Sequence, residues 1–429
     1  MDRRPPALVS AARIRDGIDA QQVPRLKRRL RLVLVAISAL GSTGYLAAVT
    51  VGTLAASEIS GGPTIGGAPT AMLTFGTALA AGILSNLMLR SGRRPGILIG
   101  LGIGLVGALV AVAAVLIGSI PLLLLGSALG GFANGASQLG RYVAADLATP
   151  ERRASAVGLV VWGSTAGAVI GPNLIGPGGM VADAIGVPTL SGAYVLTALF
   201  IGTAMVVAFT LLRPEPYALA DPSALAMRVD GGSAPSAMSL LVRPVVLVAL
   251  VTLIAGQVVM SLMMTMTPIH LVDHGHGLTT VGLVLSAHLF GMYGLSPVSG
   301  RLTDRFGSPT VIFGGLCLLG IAALMAAMAP SDVGLVLALA LFLLGFGWNL
   351  GFVAGSALLT HGLALGERTR VQGIADGLIW TSSALASLSS GIVVASLSYT
   401  ALGMMGIALL VGPFVLLLAY RPRLHLARP

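Results

Sequence analysis

Two pairs of side chains that can bind a soft metal ion stand at helical spacing in neighbouring apolar segments of the sequence. Met260 and Met264 form an M-x-x-x-M pattern, and His288 and Met292 form an H-x-x-x-M pattern. A four-residue step places two side chains on one helix face, about 6 Å apart along the axis. Thioether sulfur and neutral imidazole nitrogen are uncharged, soft donors that suit Cu(I) far better than Mg²⁺, Ca²⁺ or Mn²⁺. The pattern therefore predicts a metal path formed by these four residues.

Each pair also has a structural interpretation. Methionine is a flexible filler of packed helices, so a methionine pair alone is more typical of packing than of ligation. A histidine in an apolar span can be neutral and bonded to a backbone carbonyl. Against this, an ionisable side chain is unfavourable inside a membrane and usually has a function there. The rise per residue predicts Met260 and His288 at one level, with Met264 nearer the outside and Met292 deeper.

The methionine-rich segment continues into a second group of possible ligands after Pro268. His270, Asp273, His274 and His276 lie at its outer end. They are expected either to capture metal at the outer mouth or to form a solvated turn that ends the helix. Because histidine titrates near physiological pH, capture by these residues would be pH-sensitive.

A polar stripe crosses the fourth apolar span. Asn134, Gln138 and Arg141 stand at i, i+4 and i+7, on one helix face. The stripe predicts a polar face of a central cavity, of the kind that an organic-anion or flavin carrier needs. The alternative for Arg141 is a side chain that extends to the inner interface and pairs with Asp146 or with lipid headgroups.

One carboxylate lies inside a predicted span near the cytoplasmic boundary. Asp376 is about 9 Å inside that boundary by rise per residue, and such a group can couple transport to protons. The alternative is a residue at a helix end, bonded to the loop that carries Arg370 or to Gln372.

The composition indicates the environment of these residues. The chain has 429 residues, of which 55% are hydrophobic and 9% charged, and a mean hydropathy of +0.94. These values indicate an integral membrane protein. The single Cys317 excludes a disulfide framework. The sequence contains no P-loop, G-x-S-x-G or H-E-x-x-H pattern, so we expect neither an enzyme nor ATP-driven transport, and no cofactor.

Twelve apolar stretches are long enough to cross a bilayer, which needs roughly 20 residues per helix. They are predicted at 32–55, 67–89, 96–118, 120–145, 154–176, 190–212, 244–268, 279–300, 309–329, 333–357, 371–396 and 400–420. The predicted organisation is a basic arm 1–31, a six-helix bundle 32–212, a linker 213–243, a second six-helix bundle 244–420 and a tail 421–429.

The net charge of +10 comes from short basic clusters between the spans rather than from one soluble face, so nucleic acid is not an expected partner. Lysine and arginine are retained on the cytoplasmic side of membranes. The clusters follow the even-numbered spans and flank both ends, which predicts that both termini are cytoplasmic.

The two halves of the sequence echo each other. LRSGRRP after span 2 matches DRFGSP after span 8, so that Arg90 and Gly92 correspond to Arg305 and Gly307. GFAN in span 4 likewise resembles GFGWN in span 10. Parallel six-helix halves around a midplane site are one repeat architecture of secondary transporters.

GRLTDRFGSP (300–309) resembles the loop signature of the major facilitator superfamily, in which Gly300, the pair Asp304 and Arg305, and Gly307 would form a tight cytoplasmic turn. The resemblance implies an all-α fold of twelve membrane helices that moves a solute by rocking of two halves. The first-half copy departs from the signature, because Leu89 stands in the place of the acid.

The four predicted metal donors carry a more specific resemblance. M-x-x-x-M in the seventh span and H-x-x-x-M in the eighth resemble the CcoA-like copper importers of this superfamily. The resemblance implies that Met260, Met264, His288 and Met292 handle copper. It implies copper import across the bacterial cytoplasmic membrane, which supplies cytochrome c oxidase assembly. We expect a monomer in contact with membrane lipid, with copper or a small molecule as substrate.

Two alternative substrates remain. Related proteins in the same branch are riboflavin or general solute transporters, and the polar stripe of span 4 fits such a substrate. Gly167, Gly171 and Pro172 resemble the glycine-rich motif of drug/proton exchangers, although this spacing also serves helix packing. Those exchangers carry an arginine where this sequence has Ser127.

Overall fold

A computed structural model describes residues 14–15, 17–62, 65–220, 236–328 and 334–420 of the protein, with only the backbone at 278 and 279. Residues 1–13 and 16 of the predicted basic arm, residues 221–235 of the predicted linker and the tail 421–429 lie outside these ranges. So do Arg228 and the C-terminal arginines used to predict the orientation.

The described residues form membrane-length helices. In chain order they are α1 Val23–Ser60, α2 Ala68–Ser91, α3 Arg93–Ile117, α4 Ile120–Asp146, α5 Pro150–Ile185, α6 Thr189–Leu211, α7 Pro244–Asp273, α8 (278–306, in three pieces), α9 Ser308–Met328, α10 Gly334–Leu358, α11 Leu365–Ser396 and α12 Tyr399–Ala419. Within the described ranges, eleven helices are long and apolar enough to span a membrane, and the bent α8 makes twelve. The predicted all-α, twelve-span fold is confirmed.

Several helices extend well beyond the predicted apolar spans, among them α1, α5, α7 and α11. α7 continues past Pro268 to Asp273, and α11 begins at Leu365, before its apolar core. Hydropathy reports only the part of a helix that lies in hydrocarbon, so polar turns at the ends escape it. Pro268 has no N–H to donate to the carbonyl of Met264 one turn earlier, but the helix continues through it.

α8 is broken near its middle. Helix Leu278–Leu289 passes into a π-helical turn, Phe290–Gly294, and then into helix Ser296–Phe306. The two arms are bent by 41°. Pro297 cannot donate to the carbonyl of Tyr293, and the hydroxyl of Ser296 donates to that oxygen instead, at 2.8 Å. Met292 lies inside this π turn, a feature that is frequent at functional sites.

Packing divides the chain into two compact units. The first comprises 1–149, 163–228 and 364–380, and the second 150–162, 229–363 and 381–429, each as far as its residues are described. In the first unit, α4 packs against α2 and α3, and α6 packs against α1 and α3. In the second, α10 packs against α7, α8 and α9. Glycines permit these close approaches: a Cβ on Gly107 of α3 would lie 2.7 Å from the Gly126 carbonyl oxygen of α4.

Candidate metal-binding site and its surroundings

His288 is fully buried on α8, with 0% of its surface exposed. Its Nδ1 lies 2.9 Å from the carbonyl oxygen of Leu341 on α10. A carbonyl oxygen can only accept, so Nδ1 carries the proton and Nε2 presents a lone pair. In the described chain, Nε2 has no hydrogen-bond partner. The backbone bond expected of a neutral structural histidine is therefore present, and it fixes the tautomer that a metal ligand requires.

Met292 lies on the same side of α8 as His288. It is 6% exposed, and a Cβ built on Gly345 of α10 would lie 3.2 Å from its Cγ and would clash with the carbonyl oxygen of His288. Asn349, one turn further along α10, donates to the Met292 carbonyl at 2.6 Å and to the Ser296 hydroxyl at 2.7 Å. The histidine and the methionine thus lie in the α8–α10 interface, and Asn349 holds the backbone at the break.

The other two predicted donors lie one turn apart on α7. Met260 is buried and Met264 is half-buried. Met264 lies 9 residues before Asp273, the last residue of α7, which corresponds to about 14 Å along the axis. Met260 lies 13 residues before Asp273, or about 20 Å. His288 and Met292 lie 10 and 14 residues below Leu278, or about 15 and 21 Å. By this count Met264 falls near the depth of His288, whereas the shorter predicted span gave Met260 that depth.

The remaining methionines of the segment lie in packing positions. Met263 is fully buried, and its carbonyl accepts a 2.7 Å bond from Thr267. The terminal methyl of Met266 would be 3.9 Å from a Cβ on Gly391 of α11. Both side chains therefore serve as internal controls for the two methionines of the M-x-x-x-M.

The first half of the chain repeats the α8–α10 geometry without metal donors. A Cβ on Gly131 of α4 would clash with the carbonyl oxygen of Leu73 and the amide nitrogen of Thr77 on α2. In the second half, a Cβ on Gly345 would clash in the same way with the carbonyl oxygen of His288 and the amide nitrogen of Met292. Leu73 is buried and needs no polar partner. A leucine therefore suffices for this helix contact, and packing alone does not explain His288.

The polar stripe of α4 divides into two parts. Asn134 donates to the hydroxyl of Thr77 on α2 at 3.2 Å and is buried in that interface. Arg141 donates to the carbonyl oxygen of Gln138 at 2.7 Å and forms a buried ion pair with Asp376 at 2.5 Å. The guanidinium is thus neutralised rather than exposed to a cavity.

The observed ion pairs differ from two of the predicted alternative pairings. Arg141 pairs with Asp376, not with Asp146, which instead pairs with Arg93 at 2.7 Å. Asp376 also accepts from the Tyr142 hydroxyl at 2.9 Å, whereas its Oδ2 atom has no partner among the described side chains. Gln372 is bonded to Arg93 rather than to Asp376.

The outer histidines are not assembled as a four-residue capture cluster. His270 and His274 lie one turn apart, with ring centroids 4.2 Å apart, and His270 stacks on Tyr399 at 4.1 Å. Over the described ranges, no group of three or more His, Cys, Asp or Glu residues is arranged to hold a metal ion. Asp273 and His276 therefore do not complete a site with the pair, which favours the predicted turn over capture by all four residues.

The signature loop of the second half caps a helix. Asp304 accepts from the backbone N–H groups of Ala154 and Ser155 at 3.1 and 3.0 Å, at the start of α5. Gly300 lies against Ala154, and Gly307 adopts a positive φ of 82° that favours glycine. The exposed Arg305 lies over the ring of Phe306, 5.2 Å from its centroid.

In the first half, Glu215 takes the place of the acidic residue that is missing from the signature loop. The sequence analysis did not identify this residue. Glu215 accepts from the backbone N–H groups of Arg93 and Arg94 at 2.6 and 3.2 Å, at the start of α3. Gly92, with φ of 104°, leaves room for the carboxylate, because a Cβ there would lie 2.8 Å from its carbon. Arg90 is exposed beside this turn. Burial raises the pKa of Glu215.

Gly167 and Gly171 pack α5 against α1. Cβ atoms on these glycines would lie 2.6 Å from the Thr43 nitrogen and 2.8 Å from Leu46 Cβ, respectively. Pro172 follows in a 3₁₀ turn that interrupts α5. Close packing of this kind is common to the exchanger motif and to ordinary helix packing, so it does not separate the two interpretations.

The family profile described as Major Facilitator Superfamily matches residues 32–279 and 249–429 of the sequence. The chain belongs to the Major Facilitator Superfamily. As a member of this superfamily it is a multi-pass membrane transporter, in agreement with the twelve helices and the signature loop.

Relatives of known sequence extend this result. An uncharacterised transporter of the superfamily from Bacillus subtilis, YddS, is 37% identical over 399 residues, covering 91% of both chains. The riboflavin transporter RfnT of Brucella anthropi is 28% identical over 364 residues, covering 85% of this chain and 88% of RfnT.

Solved structures agree with the superfamily fold. The human organic anion transporter MFSD10 matches with a TM-score of 0.72 at 19% identity, covering 91% of this chain and 99% of MFSD10. A bacterial homologue of the iron transporter ferroportin, in an outward-facing state, matches with a TM-score of 0.71 at 17% identity, covering 92% and 99%. At these identities the likeness concerns the fold alone.

Proposed function

We propose that this superfamily transporter imports copper as Cu(I) across the bacterial cytoplasmic membrane, by alternating access, and so supplies cytochrome c oxidase assembly. The observation that carries the proposal is the buried, unpartnered Nε2 of His288, held in the ligand tautomer by the Leu341 carbonyl. Met292 lies on the same side of α8, and a count by rise per residue gives Met264 and Met260 similar depths on α7.

Energetics support a ligand for this nitrogen. A buried acceptor without a partner costs about 1–3 kcal/mol. The equivalent position in the first half carries Leu73, which has no such cost. A bound metal ion would satisfy Nε2 and offset the penalty.

The donor set supports a soft, monovalent ion. The four proposed ligands are neutral thioether and imidazole groups, so the occupied site carries only the charge of the ion. A zinc site would normally bring thiolates, carboxylates or several histidines. A weakly held cation can also be released, and an inside-negative potential favours its entry by about 2.3 kcal/mol per charge for each 100 mV.

Radiocopper uptake into cells tests the proposal. We expect His288→Leu, which copies the residue of the first half, to lower Cu(I) uptake by about tenfold or more, since loss of 1.4 kcal/mol of binding already changes an equilibrium tenfold. Met264→Leu should also lower uptake, whereas Met263→Leu, a buried packing residue of the same helix, should keep it. Uptake by His288→Leu equal to that of wild type, at equal membrane abundance, would refute copper import.

A second candidate is import of riboflavin or a related planar solute. RfnT supports it, as does a buried polar group in the second unit: Trp348 donates to the Gln257 side chain at 2.9 Å, and Gln257 donates to Ser383 at 3.0 Å. Trp348 also stacks on Phe352, with centroids 4.4 Å apart. Aromatic and amide groups of this kind can recognise a flavin ring. Riboflavin uptake abolished by Trp348→Leu but unaffected by His288→Leu would favour this candidate.

A further inference from the structure

Three arginines meet at the ends of three helices in the first compact unit. Arg94 is the second residue of α3, Arg213 follows α6, and Arg29 lies in the first turns of α1. Arg94 donates to the carbonyl oxygen of Phe209 at 2.8 Å, and Nε of Arg213 donates to the same oxygen at 3.3 Å. Arg29 donates to the carbonyl oxygen of Arg213. We call these three residues the arginine niche.

The cations of the niche are close together. Because Arg94 Nη2 and Arg213 Nε share one acceptor, they are at most 6.1 Å apart (2.8 + 3.3). The carboxylate of Glu215 binds the backbone N–H groups of Arg93 and Arg94 and also attracts the Arg94 side chain, so it offsets one of the three positive charges. Like charges at this distance repel, so the niche carries an excess of positive charge that an anion would relieve.

Apolar surface adjoins the niche. The guanidinium carbons of Arg94 and Arg213 each lie 5.4 Å from the ring centroid of Phe209. The Phe209 ring is 55% exposed, and Leu211 and Leu32, at the same ends of α6 and α1, are 48% and 54% exposed. Exposed apolar side chains next to guanidinium groups are typical of the level where acyl chains meet headgroups.

We propose that the arginine niche binds the headgroup phosphate of an anionic phospholipid in the leaflet on the predicted cytoplasmic side, with the acyl chains against Phe209 and Leu211. Guanidinium groups bind phosphate oxygens through paired N–H donors, and several can share one phosphate. A free phosphate ion would satisfy the charge but not cover the apolar surface. The inference is independent of the transported substrate.

Native mass spectrometry of the purified full-length protein with added phosphatidylglycerol or phosphatidylcholine tests this site. We expect wild type to retain phosphatidylglycerol preferentially and Arg213→Gln to reduce its affinity about fivefold, the equivalent of about 1 kcal/mol per interfacial arginine. Arg301→Gln removes one exposed arginine of α8 outside the niche and should leave the affinity unchanged.

Three results would overturn the inference. Equal losses in Arg213→Gln and Arg301→Gln would show a general charge effect. Unchanged affinity in Arg213→Gln would exclude the niche, and displacement of the lipid by millimolar inorganic phosphate would identify a free-phosphate site. Both variants affect exposed side chains, so the circular dichroism of the purified proteins should match that of wild type.

Discussion

At the scale of single residues, the two nitrogens of His288 have different environments. Nδ1 is used by the Leu341 carbonyl, whereas Nε2 is buried without a partner. A residue selected only for packing would avoid this arrangement, as Leu73 does in the first half. Functional groups of this kind often reduce stability, because the site is arranged for its ligand rather than for the empty protein.

This view predicts that His288→Leu separates stability from function. In copper-free detergent the variant should melt at the same temperature as wild type or a few degrees higher, because removal of the unsatisfied buried Nε2 offsets the loss of the Nδ1 bond to Leu341. Differential scanning fluorimetry of both proteins measures this. A decrease of several degrees would assign His288 a structural role. Copper-induced stabilisation of wild type should also be compared with that of the control Met263→Leu.

The chemistry proposed for this site follows from residue types and spacing, and its four candidate donors are identified from the sequence alone. The hydrogen-bond and ion-pair partners of the buried polar residues are not predicted in this way. Leu341 contributes its backbone carbonyl, a group that every residue carries, so the pattern of side chains does not identify it. The Arg141–Asp376 pair joins residues 235 positions apart, and only the folded chain shows that Asp376, not Asp146, is the partner.

At the scale of helices and loops, apolar length predicts where the spans lie, because the bilayer requires a continuous hydrophobic stretch. It does not predict the ends of α7 and α11, where helices continue into polar surroundings, or the π turn of α8. The extended α7 changes the depth that a count by rise per residue gives to Met260 and Met264. The position of Glu215 could be anticipated only in part, from an acidic residue between prolines directly after α6.

The Glu215 contact predicts a pH-dependent stability. Burial raises the pKa of this carboxyl above the ordinary value of 4.5, so the folded state binds the proton more tightly than the unfolded state. The associated stability is complete below pH 4.5 and is lost as the pH rises through the raised pKa. Wild type should therefore gain thermal stability on acidification through that window.

Melting curves of wild type and Glu215→Gln across this pH range test the prediction. The variant cannot titrate at this position and should show a smaller gain on acidification. Glu58→Gln, at the exposed C-terminal end of α1, is the matched control and should follow wild type. A Glu215→Gln profile parallel to wild type would exclude a role of this carboxyl in the pH dependence.

At the scale of the whole molecule, the membrane potential is a sufficient driving force for a monovalent cation. The candidate copper site adds no charge of its own, so each cycle would carry one positive charge inward. Asp376 is the predicted proton-coupling residue. In the structure it is buried against Arg141, and its replacement would leave a buried cation without its partner, at a cost of about 3–5 kcal/mol.

Uptake into membrane vesicles distinguishes the two driving forces. Copper uptake should rise with an imposed inside-negative potential and respond little to a pH gradient. The double variant Arg141→Gln/Asp376→Asn removes both charges and should keep this dependence if the pair is structural. A pH-gradient dependence of wild type that the double variant loses would instead identify Asp376 as a coupling residue.

The most direct test of the central claim is the copper coordination shell itself, measured by X-ray absorption at the copper K edge on purified protein loaded with one equivalent of Cu(I). We predict a mixed shell with one imidazole nitrogen and at least two thioether sulfurs. The nitrogen should disappear in His288→Leu and persist in His270→Ala, which removes an outer histidine. A shell of nitrogen and oxygen alone, or one that His288→Leu leaves unchanged, would contradict copper binding by His288 and the methionines.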